Sequence, residues 1–475
     1  MYEAVIGIEM HAELNTKSKI FCACSTQYGA PVNTQCCPVC VGMPGSLPVL
    51  NKKVVDYAML MGLACGCTVS RVTKHDRKNY FYPDLPKAYQ ISQYDIPLCH
   101  DGKLDFYVGD EKKSVRIRRI HIEEDAGKLL HNDKFGGTLV DFNRCGVPLI
   151  EIVSEPDLRS AEDAKAYLEG LVAILKYLGI SNCRMQEGNI RCDVNVSLRP
   201  KGSKEYGNRV EMKNVNTFSG ALRGIEFEIA RQTAVLEAGG VIPQETRRWD
   251  DDLAESVAMR SKEDAQDYRY FPEPDLVTIR IDDDWIARIW AQIPELPLAR
   301  FERYTKTYGL TAYEADMLSG DKDKADYFEA CAALSPKDAK SVCNWILGEF
   351  SKLANERACA IADIGVKPEA LLKLIDLVNA GTLSSTAAKT VFEQLTMGEK
   401  DPAAVVAKLG LAQISDSAAL VKIVDEVLAE NAGPVADFKG GKTNVLGFLV
   451  GLCMKKSAGK GNPQLFRELL EEKLK

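Results

Sequence analysis

Near the amino terminus the chain reads Val5-Ile-Gly-Ile-Glu-Met-His11, in which aliphatic residues alternate with other types. This alternation predicts a strand, because successive side chains of a strand point to opposite faces of the sheet. Gly7, Glu9 and His11 are then expected on one face and the aliphatic residues on the other. A glutamate and a histidine so placed can both reach one metal ion or phosphate, but a solvated strand face can carry the same pair.

Similar strands are predicted in four further segments, each with an acid among apolar neighbours. They are Val115–Asp125 (VRIRRIHIEED), Val147–Val153 (VPLIEIV), Cys192–Leu198 (CDVNVSL) and Val210–Asn216 (VEMKNVN). Glu151 is enclosed by aliphatic residues, where an ionised carboxylate is costly to bury unless it meets a cation or hydrogen-bond donors. Asp193 and Glu211 occupy comparable strand positions. A shared cleft that holds a divalent metal explains these acids together, because Mg²⁺ prefers carboxylate oxygens and phosphates.

The amino-acid composition of the 475-residue chain changes along its length. Up to about residue 292 the chain is rich in Gly, Pro, β-branched and aromatic residues, which predicts strands and loops. One helix is expected there, capped by Ser160 and ended by Gly179. The remainder is rich in Ala, Leu, Lys and Glu at helical spacing. We therefore expect an α+β protein with a mixed-sheet domain (1–292), a helical domain (293–405) and a small helical domain (406–475).

Bulk properties exclude some classes of protein. The sequence has no run of about eighteen apolar residues, so no membrane span is expected. The first residues lack a basic region followed by an apolar run, which favours a cytoplasmic protein, or an organellar one after removal of a presequence. The net charge of −7 argues against indiscriminate coating of nucleic acid. Residues 438–475 nevertheless contain eight Lys or Arg and three acids, a local surplus of five positive charges that could contact phosphates.

The fifteen cysteines include a cluster near the amino terminus, Cys22-Ala-Cys24 and Cys36-Cys-Pro-Val-Cys40. Two close pairs about a dozen residues apart can converge on tetrahedral zinc. We expect Cys22, Cys24, Cys37 and Cys40 to be the ligands. Cys36 in place of Cys37 is the competing assignment, and a group of reduced cysteines is the alternative without metal. Four sulfur ligands leave no position open for substrate, so such a zinc ion would be structural.

The loop Arg77-Lys-Asn-Tyr-Phe-Tyr-Pro-Asp-Leu-Pro-Lys87 combines basic and aromatic residues that could grip phosphate and stack on a base, although a packed aromatic loop has the same composition. No familiar nucleotide-binding motif accompanies it. Gly440-Gly-Lys-Thr443 resembles the end of a phosphate-binding loop, but Ala436 stands where the leading glycine is needed. An ATP site in this chain would therefore belong to a different fold.

Several segments, taken together and in order, resemble the B subunit of aspartyl/glutamyl-tRNA(Asn/Gln) amidotransferase. They are Gly7–His11 (GIEMH), Arg77–Lys87 (RKNYFYPDLPK), His121–Gly127 (HIEEDAG), Arg191–Ser197 (RCDVNVS), Arg209–Asn216 (RVEMKNVN), Gly447–Gly451 (GFLVG) and Gly459–Pro463 (GKGNP). The similarity runs from residue 2 to the end of the chain.

This resemblance implies a cradle-shaped catalytic domain, a helical linker domain and a tail domain that contacts tRNA. It also implies a ligase that forms a carbon–nitrogen bond with glutamine as amido donor. A glutaminase, the A subunit, supplies ammonia, and a small C subunit completes the complex. The B subunit uses ATP and Mg²⁺ to phosphorylate the side-chain carboxylate of misacylated Glu-tRNA(Gln) or Asp-tRNA(Asn), and ammonia then displaces the phosphate. The cysteine cluster is found in only some family members.

The resemblance further implies roles for individual residues. The magnesium ligands are expected to be His11, Glu124 and Glu151, with Glu9 and Glu123 as secondary contacts. Glu211 and Asp193 are expected to complete the acidic cradle, at a second metal in one version. The residues expected to contact nucleotide or the aminoacyl end are Lys78, Tyr80, Tyr82 and Lys87. Strand alternation places Glu123 and Glu124 on opposite faces, so both can be ligands only if the strand ends or bulges there.

One rival interpretation is a zinc-bearing tRNA adaptor without catalytic activity, in which the acids are structural. A related archaeal subunit restricted to Glu-tRNA carries a large insertion for which this chain has no room. The sequence shows no Gly/Ser-rich amidase signature, so ammonia is expected to come from a partner. Which misacylated tRNA is used depends on the cell and not on this sequence.

Overall fold

The computed structural model describes residues 1–132, 136–215, 217–261, 267–413, 417–442, 444–457 and 461–474. The chain forms two compact units, Met1–Arg300 and Phe301–Lys475. Parts of three motifs lie outside the described residues: Asn216 of VEMKNVN, Thr443 of the loop that resembles a phosphate-binding loop, and residues 459–460 of GKGNP.

Every strand within the described ranges lies in the first unit. They are β1 (Tyr2–Glu13), β2 (Thr68–Val69), β3 (Val72–Thr73), β4 (Asp76–Asn79), β5 (Tyr89–Ser92), β6 (Cys99–Val108), β7 (Glu111–Glu124), β8 (Lys128–Asn132), β9 (Gly137–Asp141), β10 (Pro148–Ser154), β11 (Ile190–Pro200), β12 (Val210–Val215), β13 (Glu245–Asp250), β14 (Glu255–Ser261), β15 (Phe271–Pro272) and β16 (Ile279–Arg280). The helices of this unit are α1 (Lys52–Ala64), α2 (Ala161–Leu178), α3 (Phe218–Glu237) and α4 (Asp283–Trp290), and a short 3₁₀ helix covers Met185–Glu187.

Nine strands form the main sheet, in the order β14-β13-β12-β11-β1-β10-β7-β6-β2. The described pairs are antiparallel except β12 with β13, which makes the sheet mixed. The strand quoted first, β1, lies near the centre between β10 and β11. A second, three-stranded sheet has the order β15-β4-β5 and carries the basic aromatic loop. The five predicted strands are present, with Asn216 of the last outside the described residues.

One face of the main sheet is covered by helices. Ile6, Ile8 and Met10 of β1 are at most 1 % exposed and belong to a core built with residues of α1, α2 and α3. Burying an aliphatic side chain of this size contributes about 1.5–3 kcal/mol, so the alternation in β1 fixes which face the helices cover. The opposite face is left to Glu9, His11 and their neighbours across the sheet.

The helix expected after Ser160 is present as α2. The Ser160 hydroxyl accepts a hydrogen bond from the Asp163 amide at 3.1 Å, and Gly179 ends the helix in the left-handed conformation that glycine adopts most easily. Only this helix was expected before residue 293, and the structure adds α1, α3 and α4. Most residues of α1 are apolar and buried, so its helical period is weak in the sequence.

The second unit is helical. Helix α5 (Pro297–Tyr308) crosses the division between the units, and is followed by α6 (Ala312–Ser319), α7 (Lys322–Leu334), α8 (Ala339–Trp345), α9 (Ser351–Arg357), α10 (Pro368–Asn379), α11 (Ser385–Thr396), α12 (Pro402–Leu409), α13 (Ser417–Glu430), α14 (Ala432–Lys439), α15 (Val445–Lys456) and α16 (Pro463–Leu474). Two 3₁₀ helices (Pro336–Asp338, Ile361–Ile364) and a π-helical turn (Ile346–Phe350) lie among them.

Two hydrophobic clusters lie in this unit, one within residues 304–406 and one within 420–474. The domain limits expected at 292 and 405 remain predictions. The fold class is confirmed, because a large mixed sheet with helices is followed by a helical region. Across the described ranges, every helix is too short or too polar to cross a membrane.

Candidate metal and substrate site

The register of the central strands places polar side chains opposite one another on the face that the helices leave open. His11 of β1 lies opposite Glu151 of β10, and Glu151 lies opposite His121 of β7. On the other side of β1, Glu9 lies opposite Asp193 of β11. These side chains form a polar patch of two neighbouring cross-strand rows, one through His121, Glu151 and His11 and the other through Glu9 and Asp193.

At the centre of this patch His11, Glu123 and Glu151 converge. The His11 Nε2 atom lies 3.4 Å from Glu123 Oε1 and 3.6 Å from Glu151 Oε2, and ligand atoms of the three residues all lie within 4.8 Å of one another. Both carboxylates are buried, whereas 21 % of the His11 side chain is exposed. His121 supports the group through its Nε2 atom, 3.2 Å from Glu151 Oε2.

The charges of this trio are strongly coupled. Burial opposes protonation of His11, but its contacts with Glu123 and Glu151 prevail and raise its pKa to about 10. Burial also disfavours ionised Glu123, yet Lys78 and His11 lower its pKa to about 2. The pKa of Glu151 is likewise lowered, against its burial, by His121 and His11. A proton on His11 thus occupies the place that a divalent cation would take between two carboxylates.

The trio fits a divalent metal ion. One imidazole nitrogen and two carboxylate oxygens converge from adjacent strands, and His11 keeps access to solvent. Carboxylate oxygens are the ligands that Mg²⁺ prefers, and a nitrogen ligand also suits Mn²⁺ and other transition metals. The residues present are therefore sufficient for a metal site whose remaining positions are left for water or substrate.

Glu124 does not join this site. Strand β7 stays regular from Ile120 to Glu124, so Glu124 points to the opposite face from Glu123. Its carboxylate pairs with Lys87 and accepts a hydrogen bond from the Ile91 amide at 2.8 Å. The structure therefore brings Glu123 to His11 and Glu151, in the place where the resemblance put Glu124.

A second polar group lies on the other side of β1. Lys213 donates to Asp193 at 2.9 Å and lies 3.2 Å from Glu211, which also accepts a hydrogen bond from Thr246 at 3.0 Å. Burial alone would lower the pKa of Lys213, but the two carboxylates raise it above its ordinary value. A second metal here would have to displace this ammonium group.

Glu9 lies between the two groups. Its carboxylate accepts a hydrogen bond from the side-chain amide nitrogen of Asn195 at 3.0 Å. Burial, followed by the negative charge of Glu151, raises the pKa of Glu9. A carboxyl group poised in this way can take or hold a proton beside the metal trio.

The side chains of the basic aromatic loop (Arg77–Lys87) point to different parts of the first unit. Lys78 approaches Glu123 and Glu151, whose charges raise its pKa above the ordinary value although burial would lower it. The Tyr80 hydroxyl donates to Gln90 at 3.2 Å and its ring meets Tyr268 edge-on. Tyr82 is 59 % exposed. Lys87 reaches the other side, to Glu124.

Sequence reasoning did not assign a role to several residues near the trio. His121 and Arg119 share the Glu123 face of β7, a position that alternation alone could have indicated. Tyr270 lies outside every motif used above, and no local pattern marks it. Its ring stacks on Tyr94, with centroids 4.2 Å apart, and burial is the main reason that its pKa is raised to about 12.

The cysteine cluster converges as well. Ligand sulfurs of Cys22, Cys24, Cys37 and Cys40 lie within 4.8 Å of one another, whereas the Cys36 thiol donates to the Asn33 carbonyl. Sulfurs around tetrahedral zinc stand roughly 3.8 Å apart, given Zn–S bonds of about 2.3 Å, so a small contraction suffices. The wholly buried Lys19 donates to the Gln35 carbonyl at 2.7 Å and to Cys40 Sγ at 3.6 Å. The arrangement can hold a metal such as zinc.

Comparison with known proteins gives a consistent result over the whole chain. The family model of the GatB/GatE catalytic domain matches residues 4–287, and that of the GatB domain matches residues 326–474. Proteins named as the B subunit of aspartyl/glutamyl-tRNA(Asn/Gln) amidotransferase are 56 % identical in Caldicellulosiruptor bescii and 53 % in Thermoanaerobacter pseudethanolicus, each over 100 % of this chain and 99 % of the relative. The Moorella thermoacetica protein of that name is 52 % identical over 100 % of both chains. The sheet, its polar face and these similarities show that the chain belongs to the GatB family of amidotransferase B subunits.

Proposed function

We propose that this protein phosphorylates the side-chain carboxylate of misacylated Glu-tRNA(Gln), Asp-tRNA(Asn) or both with ATP, and then exchanges the phosphate for ammonia. The observation that carries the proposal is the convergence of His11, Glu123 and Glu151 beside Lys78. On one open face of the sheet, the two carboxylates can bind a divalent cation and the Lys78 ammonium group can bind phosphate.

The chemistry requires an activated carboxylate, since a free carboxylate is a poor electrophile. In the first step a carboxylate oxygen forms a bond to the γ-phosphorus of ATP, the bond to the β–γ bridging oxygen breaks, and ADP leaves with the electron pair. In the second step ammonia attacks the acyl carbon, the bond to the phosphate oxygen breaks, and the nitrogen loses a proton. Both steps bring anions together, which is why the site must supply positive charge.

His11, Glu123 and Glu151 would hold Mg²⁺. When bound, Mg²⁺ supplies charge neutralisation between the phosphates and the substrate carboxylate. His11 must lose its proton for this role, and His121 keeps Glu151 in place through the 3.2 Å contact. Glu9, with its raised pKa, is positioned to accept the proton that the attacking nitrogen loses.

The remaining predicted residues take supporting roles in the proposal. Lys78 and Tyr80 lie on the side of Glu123 and are assigned to nucleotide or aminoacyl-end contacts, as is the exposed Tyr82. Lys87 and Glu124 form a pair behind the metal trio. Glu211 and Asp193, held by Lys213, complete the acidic side of the cradle. In this version Glu124 is not a metal ligand.

The proposal includes the rest of the expected assembly. The four cysteines bind structural Zn²⁺. The glutaminase, or A subunit, delivers ammonia from glutamine, and the small C subunit completes a heterotrimer. The complex acts in the cytoplasm as a ligase that forms a carbon–nitrogen bond. The helical tail contacts the misacylated tRNA. The family membership supports these partners in general terms, because a B subunit implies further subunits.

The experiment is tRNA-dependent ADP release by the reconstituted complex. Misacylated Glu-tRNA(Gln) and Asp-tRNA(Asn) are compared with correctly charged Gln-tRNA(Gln). We expect ADP release only with misacylated tRNA, and a loss of about 100-fold or more in Glu151→Gln. Glu205→Gln, at an exposed loop position, is the matched control. Amidation that persists in Glu151→Gln would favour a non-catalytic adaptor.

A further inference from the structure

Arg119 stands apart from the arginines that stabilise this fold by ion pairs. Its Nε atom is buried without a hydrogen-bond partner, and among the residues that the structure describes no carboxylate lies within 4.0 Å of its guanidinium group. By contrast, Arg77 is held by Glu273, and Arg191 by Asp125. A partly buried guanidinium group without a partner costs free energy that contacts within the described chain do not offset.

The strand register places Arg119 beside the metal trio. Arg119 pairs with Val153 of β10, and two residues further along β7 His121 pairs with Glu151. Because pairing is regular over this stretch, Arg119, His121 and Glu123 share a face. The register shifts directly beyond Arg119, between Val153 and Ser154. Such irregularities redirect side chains and are frequent next to active sites.

The surroundings of Tyr270 show which charged groups lie near Arg119. The charged groups that act on its hydroxyl are Lys78, Glu123, Glu151 and Arg119. The Lys78 ammonium group lies over the Tyr268 ring and near the two glutamates, but its side chain forms no hydrogen bond or ion pair with a described residue. Lys78 and Arg119, neither of which forms an ion pair with a described residue, therefore lie near the two carboxylates of the trio.

The balance of charge indicates what these cations bind. A divalent ion held by His11, Glu123 and Glu151 would offset the charges of the two carboxylates. Lys78 and Arg119 then remain as surplus positive charge on an open face. A triphosphate brings several negative charges, and the planar guanidinium fork matches two phosphate oxygens at once. We propose that Arg119 binds phosphate oxygens of ATP beside the metal trio, together with Lys78.

This inference rests on the proposed function but can be tested separately from it. In the reconstituted complex with Mg²⁺, binding of inorganic pyrophosphate is measured by calorimetry for the wild type, Arg119→Gln and Arg119→Lys. We expect Arg119→Gln to weaken binding about 10- to 100-fold, as the loss of a charge-assisted hydrogen bond does. Arg119→Lys keeps the charge but not the fork, and should recover part of the affinity. Arg280→Gln, an exposed arginine of the same unit, should bind as the wild type does.

A second readout separates a binding role from a structural one. Arg119→Gln should melt within about 2 °C of the wild type, because the side chain stabilises no described partner. Unchanged pyrophosphate affinity in Arg119→Gln would overturn the inference. If the KM for misacylated tRNA were raised at the same time, Arg119 would instead be assigned to the aminoacyl carboxylate. If Arg119→Gln fails to fold, equal affinities of wild type and Arg119→Lys would also overturn it. Absence of tRNA-dependent ADP release by the wild type would instead contradict the proposed function.

Discussion

Glu123 and Glu124 are neighbours in sequence and face opposite sides of β7, so the two glutamates have different chemistry. Glu123 lies beside His11 and Glu151, whereas Glu124 forms an ion pair with Lys87. The sequence predicted that the two would diverge, because a regular strand alternates its side chains. It could not tell which one faces the metal trio, since that depends on the register of three strands.

The pH dependence of His11 provides a test at the residue scale. Its pKa rises from an ordinary 6.5 to about 10 in the metal-free fold. A raised pKa means that the protonated form stabilises the fold fully below pH 6.5 and loses this effect as the pH rises towards 10. We expect the difference in free energy of unfolding between wild type and His11→Gln to shrink over this window. Urea unfolding in chelator at several pH values measures it, and a difference independent of pH would contradict the arrangement.

Lys19 provides a second test at this scale. Its side chain is wholly buried and its Nζ atom lies 3.6 Å from Cys40 Sγ, so its positive charge would offset part of the negative charge of a zinc site with four thiolate ligands. Lys19→Met keeps the length of the side chain but removes the charge. We expect zinc affinity to fall about 10- to 100-fold, measured by competition with a chromogenic chelator. Lys17→Met, at an exposed position, is the control, and equal zinc affinity in both variants would contradict this role.

At the scale of elements, strands were easier to predict than helices in the first unit. The sequence alternates clearly in β1 and β11, where one face is buried by helices and the other carries the site, whereas β10 is buried along almost its whole length with Glu151 among aliphatic residues. Helix α1 contains a nearly continuous apolar sequence, which has no visible period, and α4 spans only Asp283–Trp290. Helix α2 was predictable because its cap, its apolar stripe and its terminal glycine agree.

The cap of α2 makes this agreement testable. Ser160→Ala removes the acceptor for the Asp163 amide. We expect the free energy of unfolding to fall by about 1 kcal/mol, as measured by urea denaturation. Ser160→Asp, which retains an acceptor at the same position, should recover most of this loss. Equal destabilisation by both substitutions would show that the hydroxyl contributes through packing and not through the cap.

At the scale of the whole molecule, the basic surplus near the carboxyl terminus allows the proposed tRNA binding to be tested separately from catalysis. Lys439 and Lys455 are exposed at the ends of α14 and α15. We expect the double replacement by Gln to weaken tRNA binding and to reduce its salt dependence by about one unit of slope for each phosphate that is no longer neutralised. Filter binding at several salt concentrations measures this. The exposed pair Lys201 and Lys204 is the control, and equal effects of both pairs would contradict a specific role for the tail.

Substitution is a sharper test here than deletion of residues 406–475. Val406 lies in α12 and belongs to the hydrophobic cluster within residues 304–406. A truncation at that point would cut a helix and remove part of a core, so reduced activity would not report on tRNA binding alone. The boundary expected near 405 stays a prediction, and composition alone does not show that α12 spans this position.

In the proposed mechanism, His11, Glu123 and Glu151 form the site where the aminoacyl carboxylate is activated. The most direct measurement is single-turnover ADP release by the complex with misacylated tRNA, comparing Glu123→Gln with Glu124→Gln. The structure predicts a loss of about 100-fold or more in Glu123→Gln and substantial retention in Glu124→Gln, because only Glu123 belongs to the metal trio. Wild-type ADP release by Glu123→Gln, with loss in Glu124→Gln, would contradict the claim.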